Sequence, residues 1–337
     1  MRAIRQYAFG PAGNLRLETV DDPVPAPGQV RIAVEAAGVH LIDTLLRQGP
    51  QDGDSFPLPF PELPTTPGRE VAGTVDALGD GTDPSWLGRR VVAHLGMVPG
   101  GYAEAAVTTP DKLHPLPDTL PSDHAVAMVG SGRMTAGILR FTDLTPADIV
   151  LVLAAAGGIG ALLVQYAKHR GATVVGAAGG QEKAAVVAGL GADLALDYTA
   201  PGWADRVRAA YGDRPVSVLF DGVAGPLAGT AAGLVAPGGT HLVYGNASGA
   251  ADSGEPPADI VTRTVFGQAL FERIGGRQNL RLLEDEAMAL AAAGTLTPLV
   301  TRFPLAEAAR AHEALESRAT TGKVVLVTDR ATDRATP

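Results

Sequence analysis

The chain has 337 residues, a formal net charge of −9, 46% hydrophobic and 19% charged residues, and no cysteine. This is the composition of a globular protein, and its length exceeds what a single hydrophobic core usually serves, so we expect two domains. The negative charge argues against nucleic acid or an anionic membrane as a partner, and the lack of cysteine excludes disulfides, thiolate nucleophiles and cysteine-based metal sites. No segment approaches the roughly 20 apolar residues that cross a bilayer, and charges interrupt the N-terminus where a signal peptide would be apolar. We therefore expect a cytoplasmic protein.

The first part of the chain predicts short strands separated by turn residues. These strands cover residues 2–7, 15–20, 29–37, 71–78, 89–94 and 102–108. A proline-rich loop at residues 56–64 interrupts them, and its prolines cannot join a central strand. This spacing is typical of an antiparallel, mostly β, barrel-like domain.

After about Ser122 the pattern changes to apolar runs that alternate with helical stretches. The runs cover residues 149–154, 173–178, 194–196, 216–220 and 241–244. Continuous apolar strands separated by helices indicate an α/β domain with a doubly wound parallel sheet of the Rossmann type. From about Leu296 the chain returns to the first domain and ends in a predicted strand at residues 323–327. We therefore predict a β-rich domain of residues 1–122 and 295–337, and a Rossmann domain of residues 123–294.

A glycine-rich turn follows the first strand of the predicted Rossmann domain. It contains Gly157, Gly158, Ile159 and Gly160, and a helical stretch follows to Arg170. Glycines permit a tight turn and a close approach to a pyrophosphate, and the helix N-terminus offers N–H groups with a positive dipole end. The turn predicts a dinucleotide site, although its spacing departs from G-x-G-x-x-G and an ordinary βαβ turn is the alternative.

The residues after the second Rossmann strand indicate which dinucleotide binds. Proteins that bind NAD usually place an Asp or Glu about 20 residues after the first glycine, where it holds the ribose hydroxyls. Here the stretch 176–181, which includes Gly179, has no acid, and Lys183 follows it. A cation at this place can pair with a 2′-phosphate, which favours NADPH. The alternative is that Lys183 is a solvated surface lysine.

Several motifs resemble the quinone oxidoreductase branch (the zeta-crystallin type) of the medium-chain dehydrogenase/reductase superfamily over nearly the whole chain. They lie at residues 38–44, 67–73, 155–160, 165–168, 189–193, 244–249 and 311–320. The resemblance implies that the β-rich domain is GroES-like. It also implies a homodimer, joined in many members through the edge of the Rossmann sheet.

The resemblance further implies roles for individual residues. Lys183, Tyr198 and Arg318 fall where the family grips the adenosine 2′-phosphate of NADPH. The positions that line the nicotinamide and its ribose are Thr135, Tyr244, Gly245, Asn246 and Ala247.

The zinc-bearing relatives have Cys where this chain has His40, and His where it has Arg69. A guanidinium stays protonated and cannot ligate a metal, so we predict no metal site. Without a Lewis acid, alcohol oxidation is implausible, and the expected acceptors are already electrophilic by conjugation. We predict reduction of a quinone or another small conjugated carbonyl compound.

The acceptor end departs from the family pattern. Most members have Asn at the His40 position, and many have Tyr at the Leu45 position. His40 is the candidate catalytic residue, as a proton donor to the reduced acceptor, and a polar wall without a chemical role is the alternative. We expect the acceptor beside Leu45 and the proline-rich loop, and we expect Glu70 to balance Arg69 or Arg47.

Two other functions stay open. The chain is also compatible with an NADPH-dependent reductase of the double bond of an enal, enone or enoyl thioester, for which His40 would supply the proton. Outside enzymes, it would be a sensor or structural protein that binds NADPH with little turnover.

Overall fold

The computed structural model describes residues 1–50, 59–250 and 254–333, so residues 56–58 of the proline-rich loop lie outside it. The chain forms two compact units, the first from Met1–Gly130 with Leu299–Pro337 and the second from Ser131–Pro298. These boundaries lie a few residues beyond those drawn from the sequence. The reason is that the helix Ser122–Ala127 packs on strands of the first unit, and periodicity does not say which sheet a helix covers.

Short strands dominate the amino-terminal part of the first unit. In chain order its elements are β1 (Arg2–Gln6), β2 (Leu15–Thr19), β3 (Val30–Val39), α1 (Leu41–Gln48), β4 (Glu70–Leu78), β5 (Arg90–His94), β6 (Ala105–Thr108), β7 (Leu113–Pro115) and α2 (Ser122–Ala127).

The second unit alternates strands with helices over most of its length. Its elements are α3 (Arg133–Leu139), β8 (Ile149–Leu153), α4 (Gly158–His169), β9 (Thr173–Ala178), α5 (Gln181–Gly189), β10 (Leu194–Asp197), α6 (Trp203–Tyr211), β11 (Val216–Asp221), α7 (Gly225–Ala232), β12 (Val235–Val243), β13 (Val261–Thr264), α8 (Gln268–Arg273) and α9 (Leu280–Ala292). The carboxyl-terminal part of the first unit adds β14 (Val300–Pro304), α10 (Ala308–Glu316), β15 (Lys323–Val327) and α11 (Asp329–Asp333).

The second unit contains the predicted doubly wound sheet. Among the described residues, six strands lie in the order β10-β9-β8-β11-β12-β13, and all their pairings are parallel. Val150 and Val152 pack into the core that includes α4, whereas Leu151 and Leu153 pack into the core that includes α6 and α7. Because both faces of β8 are buried, its sequence is a continuous apolar run rather than an alternating one.

Both chain ends build the sheet of the first unit. Its order is β14-β15-β3-β4-β5-β7, and β6 also pairs with β3. The strand from the end of the chain, β15, lies antiparallel to β3, and β14 lies parallel to β15. In the part of the chain that the structure describes, no helix is long and apolar enough to cross a membrane.

Some strands differ from those predicted. The sequence patterns do not predict β7, β13 and β14; β7 and β13 have only three and four residues, and β13 is exposed along its whole length. The strand predicted from Tyr102 begins only at Ala105. Instead, the Tyr102 N–H donates to the carbonyl of Pro67, so this segment turns before it joins the sheet.

The turn between β8 and α4 depends on a glycine. Ala154 has a left-handed φ of 49°, and its carbonyl accepts the N–H of Gly157 at 2.8 Å. A Cβ atom on Gly160 would lie 2.3 Å from the same carbonyl oxygen. The first turn of α4 therefore approaches the end of β8 this closely only because residue 160 is glycine.

A buried polar contact lies in the core of the first unit. Tyr102 and His312 are both fully buried and meet edge to face, with ring centroids 5.8 Å apart. The Tyr102 hydroxyl lies 3.2 Å from Nε2 of His312 and donates to the Asp43 carboxylate at 3.3 Å. Burial lowers the pKa of His312 from its ordinary 6.5 to about 4, so its imidazole is neutral at pH 7.

We expect Gly160→Ala to destabilise the protein by about 2 kcal/mol, because the new methyl group collides with main chain that cannot move away. Urea unfolding of both proteins measures the difference. The matched control is Gly189→Ala in α5, where a Cβ meets nothing within 4 Å and alanine favours the helix. An equal effect of the two substitutions would contradict the close approach.

We expect His312 to lower the folding stability as the pH drops through a defined window. The unfolded chain takes up a proton at this residue near pH 6.5 and the folded chain only near pH 4, so stability is full above pH 6.5 and falls as the pH drops toward 4. The loss approaches about 3 kcal/mol. His312→Gln removes this component, so urea-unfolding curves of the two proteins should diverge between these pH values. If the stability of both proteins depended on pH in the same way, this contribution of His312 would be excluded.

Candidate active site

The start of α4 is built to receive an anionic group. Gly157, Gly158 and Ile159 are only half-buried, so the main chain here remains partly accessible. The first N–H groups of a helix have no partner within the helix, and its dipole places positive potential at this end. With Gly160 close against the strand, the turn fits the pyrophosphate of a dinucleotide.

The ends of β9 and β10 bring two predicted cofactor residues to one edge of the sheet. Ala178 and Asp197 are paired across these strands. Beyond them, a Cβ on Gly179 would lie 3.3 Å from the Tyr198 hydroxyl, so the tyrosine ring packs beside this glycine. Lys183 follows in the first turn of α5 and is half-buried.

An acidic side chain also lies at this edge, and the sequence pattern does not reveal it. The Asp197 carboxylate accepts hydrogen bonds from the Gly180 N–H at 2.8 Å and from both the N–H and the hydroxyl of Thr199. The Thr199 and Gly180 bonds lower the pKa of Asp197. One carboxylate oxygen of Asp197, Oδ1, accepts all three bonds and so holds the loop that follows β9 in place.

The segment Tyr244–Ala247 lies where β11 and β12 end. The N–H of Tyr244 donates to the carbonyl of Asp221, and the N–H of Ala247 donates to that of Gly222. A Cβ on Gly222 would lie 2.6 Å from the Tyr244 ring, so the ring packs flush against this glycine. The Tyr244 hydroxyl is 3.4 Å from the carbonyl of Leu153, the last residue of β8. The structure thus places Tyr244 beside the start of the glycine turn, and Gly245 and Asn246 continue along the same edge.

Asp221, at the end of β11, has a structural set of contacts. One carboxylate oxygen accepts the N–H groups of Val223 and Ala224, and the other lies 3.1 Å from Nε2 of His241. Both side chains are buried. This carboxylate caps the turn after β11.

Two further predicted cofactor residues lie elsewhere. Thr135 is buried in α3 and its hydroxyl donates to the Ser131 carbonyl at 2.9 Å. Arg318 belongs to the first unit, is exposed, and has a left-handed φ of 57° just after α10. Their contacts with a cofactor stay predictions.

His40 lies at the junction of β3 and α1 in the first unit. Its side chain is 25% exposed, and its Nε2 lies 2.6 Å from an oxygen of the fully buried Glu70. The other Glu70 oxygen lies 2.8 Å from the buried Nζ of Lys323. β4 and β15 both pair with β3, so the strand pairing brings Glu70 and Lys323 to either side of its end.

His40 and Lys323 are the two nearest partners of the Glu70 carboxylate among the described residues. Burial would raise the pKa of Glu70, but the charges of His40 and Lys323 outweigh it and hold that pKa well below its usual range. A Cβ on Gly38 or Gly130 would lie 2.2 Å or 1.7 Å from the carboxylate. The two glycines therefore make the space that Glu70 fills.

The prediction that Glu70 balances Arg69 or Arg47 is wrong, because each arginine pairs with a different acidic residue. Arg69 donates to Asp43 at 3.1 Å, and both side chains are buried. Arg47 pairs with Glu316. Lys323, the actual partner, was missed, and its only signal in the sequence is a lysine that opens an otherwise apolar strand.

The donor set around His40 does not suit zinc. Arg69 carries a permanent positive charge at the position of a histidine ligand, and Nε2 of His40 faces Glu70. Within residues 1–50, 59–250 and 254–333, no group of three or more histidine, aspartate or glutamate side chains is placed to hold a metal ion.

Comparisons with known proteins agree with this architecture. Residues 26–118 match the family model of the alcohol dehydrogenase GroES-like domain, and residues 190–326 match that of zinc-binding dehydrogenases. A 2-haloacrylate reductase from Burkholderia is 32% identical over 97% of this chain and 98% of its own length. The quinone oxidoreductase of Pseudomonas aeruginosa is 32% identical over 97% of this chain and 99% of its own.

Solved structures give the same result. Escherichia coli quinone oxidoreductase complexed with NADPH aligns with 97% of this chain and 100% of its own, at a TM-score of 0.82 and 28% identity. A mycobacterial protein solved with NADPH covers 97% and 100% of the two chains, at a TM-score of 0.79 and 33% identity. The chain therefore belongs to the quinone oxidoreductase branch of the medium-chain dehydrogenase/reductase superfamily and is an oxidoreductase of that type.

Proposed function

We propose that this oxidoreductase uses NADPH to reduce a small conjugated acceptor, with a quinone as the first choice, and that it works without zinc. The observation that carries the proposal is the close turn between β8 and α4. There, Gly160 lets the helix N-terminus meet the strand end and offer its N–H groups to a pyrophosphate. Relatives of the same branch have been solved with NADPH.

The preference for NADPH over NADH rests on the end of β9. The stretch 176–181 has no acid, the first acidic residue after it is Glu182 in α5, and the nearby Asp197 is bonded to the loop backbone. Lys183 in the first turn of α5 and Tyr198 just after β10 are the residues proposed to meet a 2′-phosphate, and Arg318 is the third proposed contact. When bound, NADPH supplies the hydride.

The choice of acceptor follows from the chemistry of the first unit. A guanidinium occupies the place of a zinc ligand, so the site has no metal to polarise an alcohol or an isolated carbonyl. A conjugated acceptor needs no such activation.

A second candidate is reduction of a conjugated carbon–carbon double bond. The observation that favours it is the 32% identity to a 2-haloacrylate reductase over nearly the whole chain. In this case His40 would be the nearest candidate for a proton donor, as the sequence suggests.

We expect Lys183→Ala to raise KM for NADPH by about 10-fold or more, because it removes a charge-assisted contact to the 2′-phosphate. KM for NADH should stay unchanged. Oxidation of each cofactor, followed by absorbance with matched quinone and enal acceptors, measures both values. The matched control is Lys168→Ala. Lys168 lies at the carboxyl end of α4, away from the glycine turn, and pairs with Asp193.

The acceptor that turns over faster decides between the two candidates. Equal use of NADH and NADPH by the unaltered protein would refute the phosphate contacts. Tight NADPH binding without turnover of any acceptor would instead point to a sensor or structural protein.

We also propose that the protein is a homodimer joined at the edge of the second unit's sheet. β13 is the outermost described strand on its side, and all four of its residues are exposed. Val261 and the nearby Phe266 add apolar surface to this edge. An exposed edge strand of this kind is a template for pairing with another strand, and a second copy would supply it.

We expect Val261→Lys to weaken the dimer, because it places a charge without a partner in the proposed interface. Sedimentation velocity over a range of concentrations compares it with the unaltered protein. Leu282→Lys is the control, since Leu282 is an exposed apolar residue of α9 in the same unit. A monomeric unaltered protein would end this proposal.

A further inference from the structure

A cavity of about 280 Å³ lies within the first unit, next to the described part of the proline-rich loop. Its apolar wall includes Leu46, Phe60 and Met97, and its polar wall includes Asp43 and Arg69. For comparison, an apolar cavity of about 150 Å³ is known to hold a benzene ring. This cavity therefore has room for a single ring with its substituents or for a short conjugated chain.

Among the described residues, the only oxygen that accepts from the Arg69 guanidinium belongs to Asp43. Its Nη2 donates to Asp43 at 3.1 Å. Its Nη1 contacts only the thioether sulfur of Met97, at 3.8 Å, and its Nε has no partner among the described residues. A buried guanidinium normally satisfies its donors with oxygen atoms, because leaving them unpaired costs free energy. Met97 and Arg69 both line the cavity, so the weak contact between Nη1 and the thioether joins two of its lining residues.

The charges around the cavity limit what binds there. Asp43 and Glu62 line it together with Arg47 and Arg69, so the formal charges of these four side chains cancel. Both Nη atoms of Arg47 are already engaged, by the Gly10 carbonyl and by Glu316. A multiply charged anion such as a phosphate gains little in these surroundings. A neutral ligand with one oxygen that becomes negative during the reaction fits them.

We propose that this cavity binds the acceptor and that Arg69 is a catalytic residue that donates to its carbonyl oxygen. The proposal rests on the proposed reductase function and gives that function an acceptor site and a residue that recognises the substrate. The class of substrate is a conjugated carbonyl compound of one ring or a short chain.

The reaction does not require Arg69 to donate a proton. Hydride from a reduced nicotinamide adds to the electrophilic end of the conjugated system. The π electrons move to the carbonyl oxygen, which becomes an enolate or phenolate oxygen. The fixed guanidinium stabilises this negative charge, and water then supplies the proton. The guanidinium itself stays protonated throughout.

The first test is binding of 4-nitrophenol to the protein without cofactor. We expect Arg69 to favour bound 4-nitrophenolate, so its absorbance should appear at a pH where the free compound is mostly neutral. Arg69→Met should abolish this signal and also lower kcat/KM for carbonyl acceptors by about 100-fold. Arg69→Lys, which keeps the charge but loses the planar fork, should restore part of both.

Two further variants serve as controls. Arg31→Met removes an arginine that pairs with Asp76 outside the cavity, and it should leave the 4-nitrophenolate signal unchanged. Leu46→Trp fills the cavity while Arg69 stays in place, and it should block 4-nitrophenol binding and raise KM for the acceptor.

Arg69→Met leaves Asp43 buried without its cation and can prevent folding. The double variant Asp43→Asn/Arg69→Met removes both charges and should give the same loss of signal in a folded protein. Binding of 4-nitrophenolate that is unaffected by Arg69, or absent from the unaltered protein, would overturn the proposal. Arg69-dependent binding without turnover of any acceptor would leave the cavity as a ligand site and reject the reductase function.

Discussion

The first unit depends on the burial of one carboxylate. Glu70 has no exposed surface, and a charge in such a place is tolerated only when opposite charges surround it. Lys323 provides an opposite charge on one side, Nε2 of His40 lies against the carboxylate on the other, and the glycines at positions 38 and 130 leave the space. Removing one partner of a buried pair costs about 3–5 kcal/mol. The strands β3, β4 and β15 are therefore tied together at the point where the chain's two ends meet in one sheet.

A second carboxylate organises the neighbouring part of the same unit. Asp43 accepts hydrogen bonds from the His40 N–H, from Arg69 and from the Tyr102 hydroxyl. It thus connects the start of α1 to β4 and to the segment before β6. Because Asp43 fixes only one of the Arg69 nitrogens, the guanidinium is held in place with donors to spare. Arg69 is therefore a fixed cation beside the cavity.

In the second unit, the parallel sheet brings the cofactor residues to one edge. Strands β8 to β12 run in the same direction, so the glycine turn, Gly179, Tyr198 and Tyr244 all follow strand ends on that edge. Several of the contacts there need the absence of a side chain. Gly160 meets the carbonyl of Ala154, and Gly222 meets the ring of Tyr244. The shape of the binding surface is therefore a main-chain property, and only a few side chains remain to recognise a particular cofactor.

The sequence alone determined the doubly wound sheet, the β-rich unit built from both chain ends and the glycine turn, because each leaves a local pattern: apolar runs, regular turn spacing, or glycines between a strand and a helix. It did not predict the exposed β13 or the late start of β6, which have no apolar signal. Only the tertiary structure decided that Glu70 pairs with Lys323, 253 positions along the chain, rather than with the adjacent Arg69. The unused donors of Arg69 and the cavity beside it were equally hidden. Side-chain pairing and enclosed volume depend on strand register and on which elements pack together, and neither is encoded in local sequence.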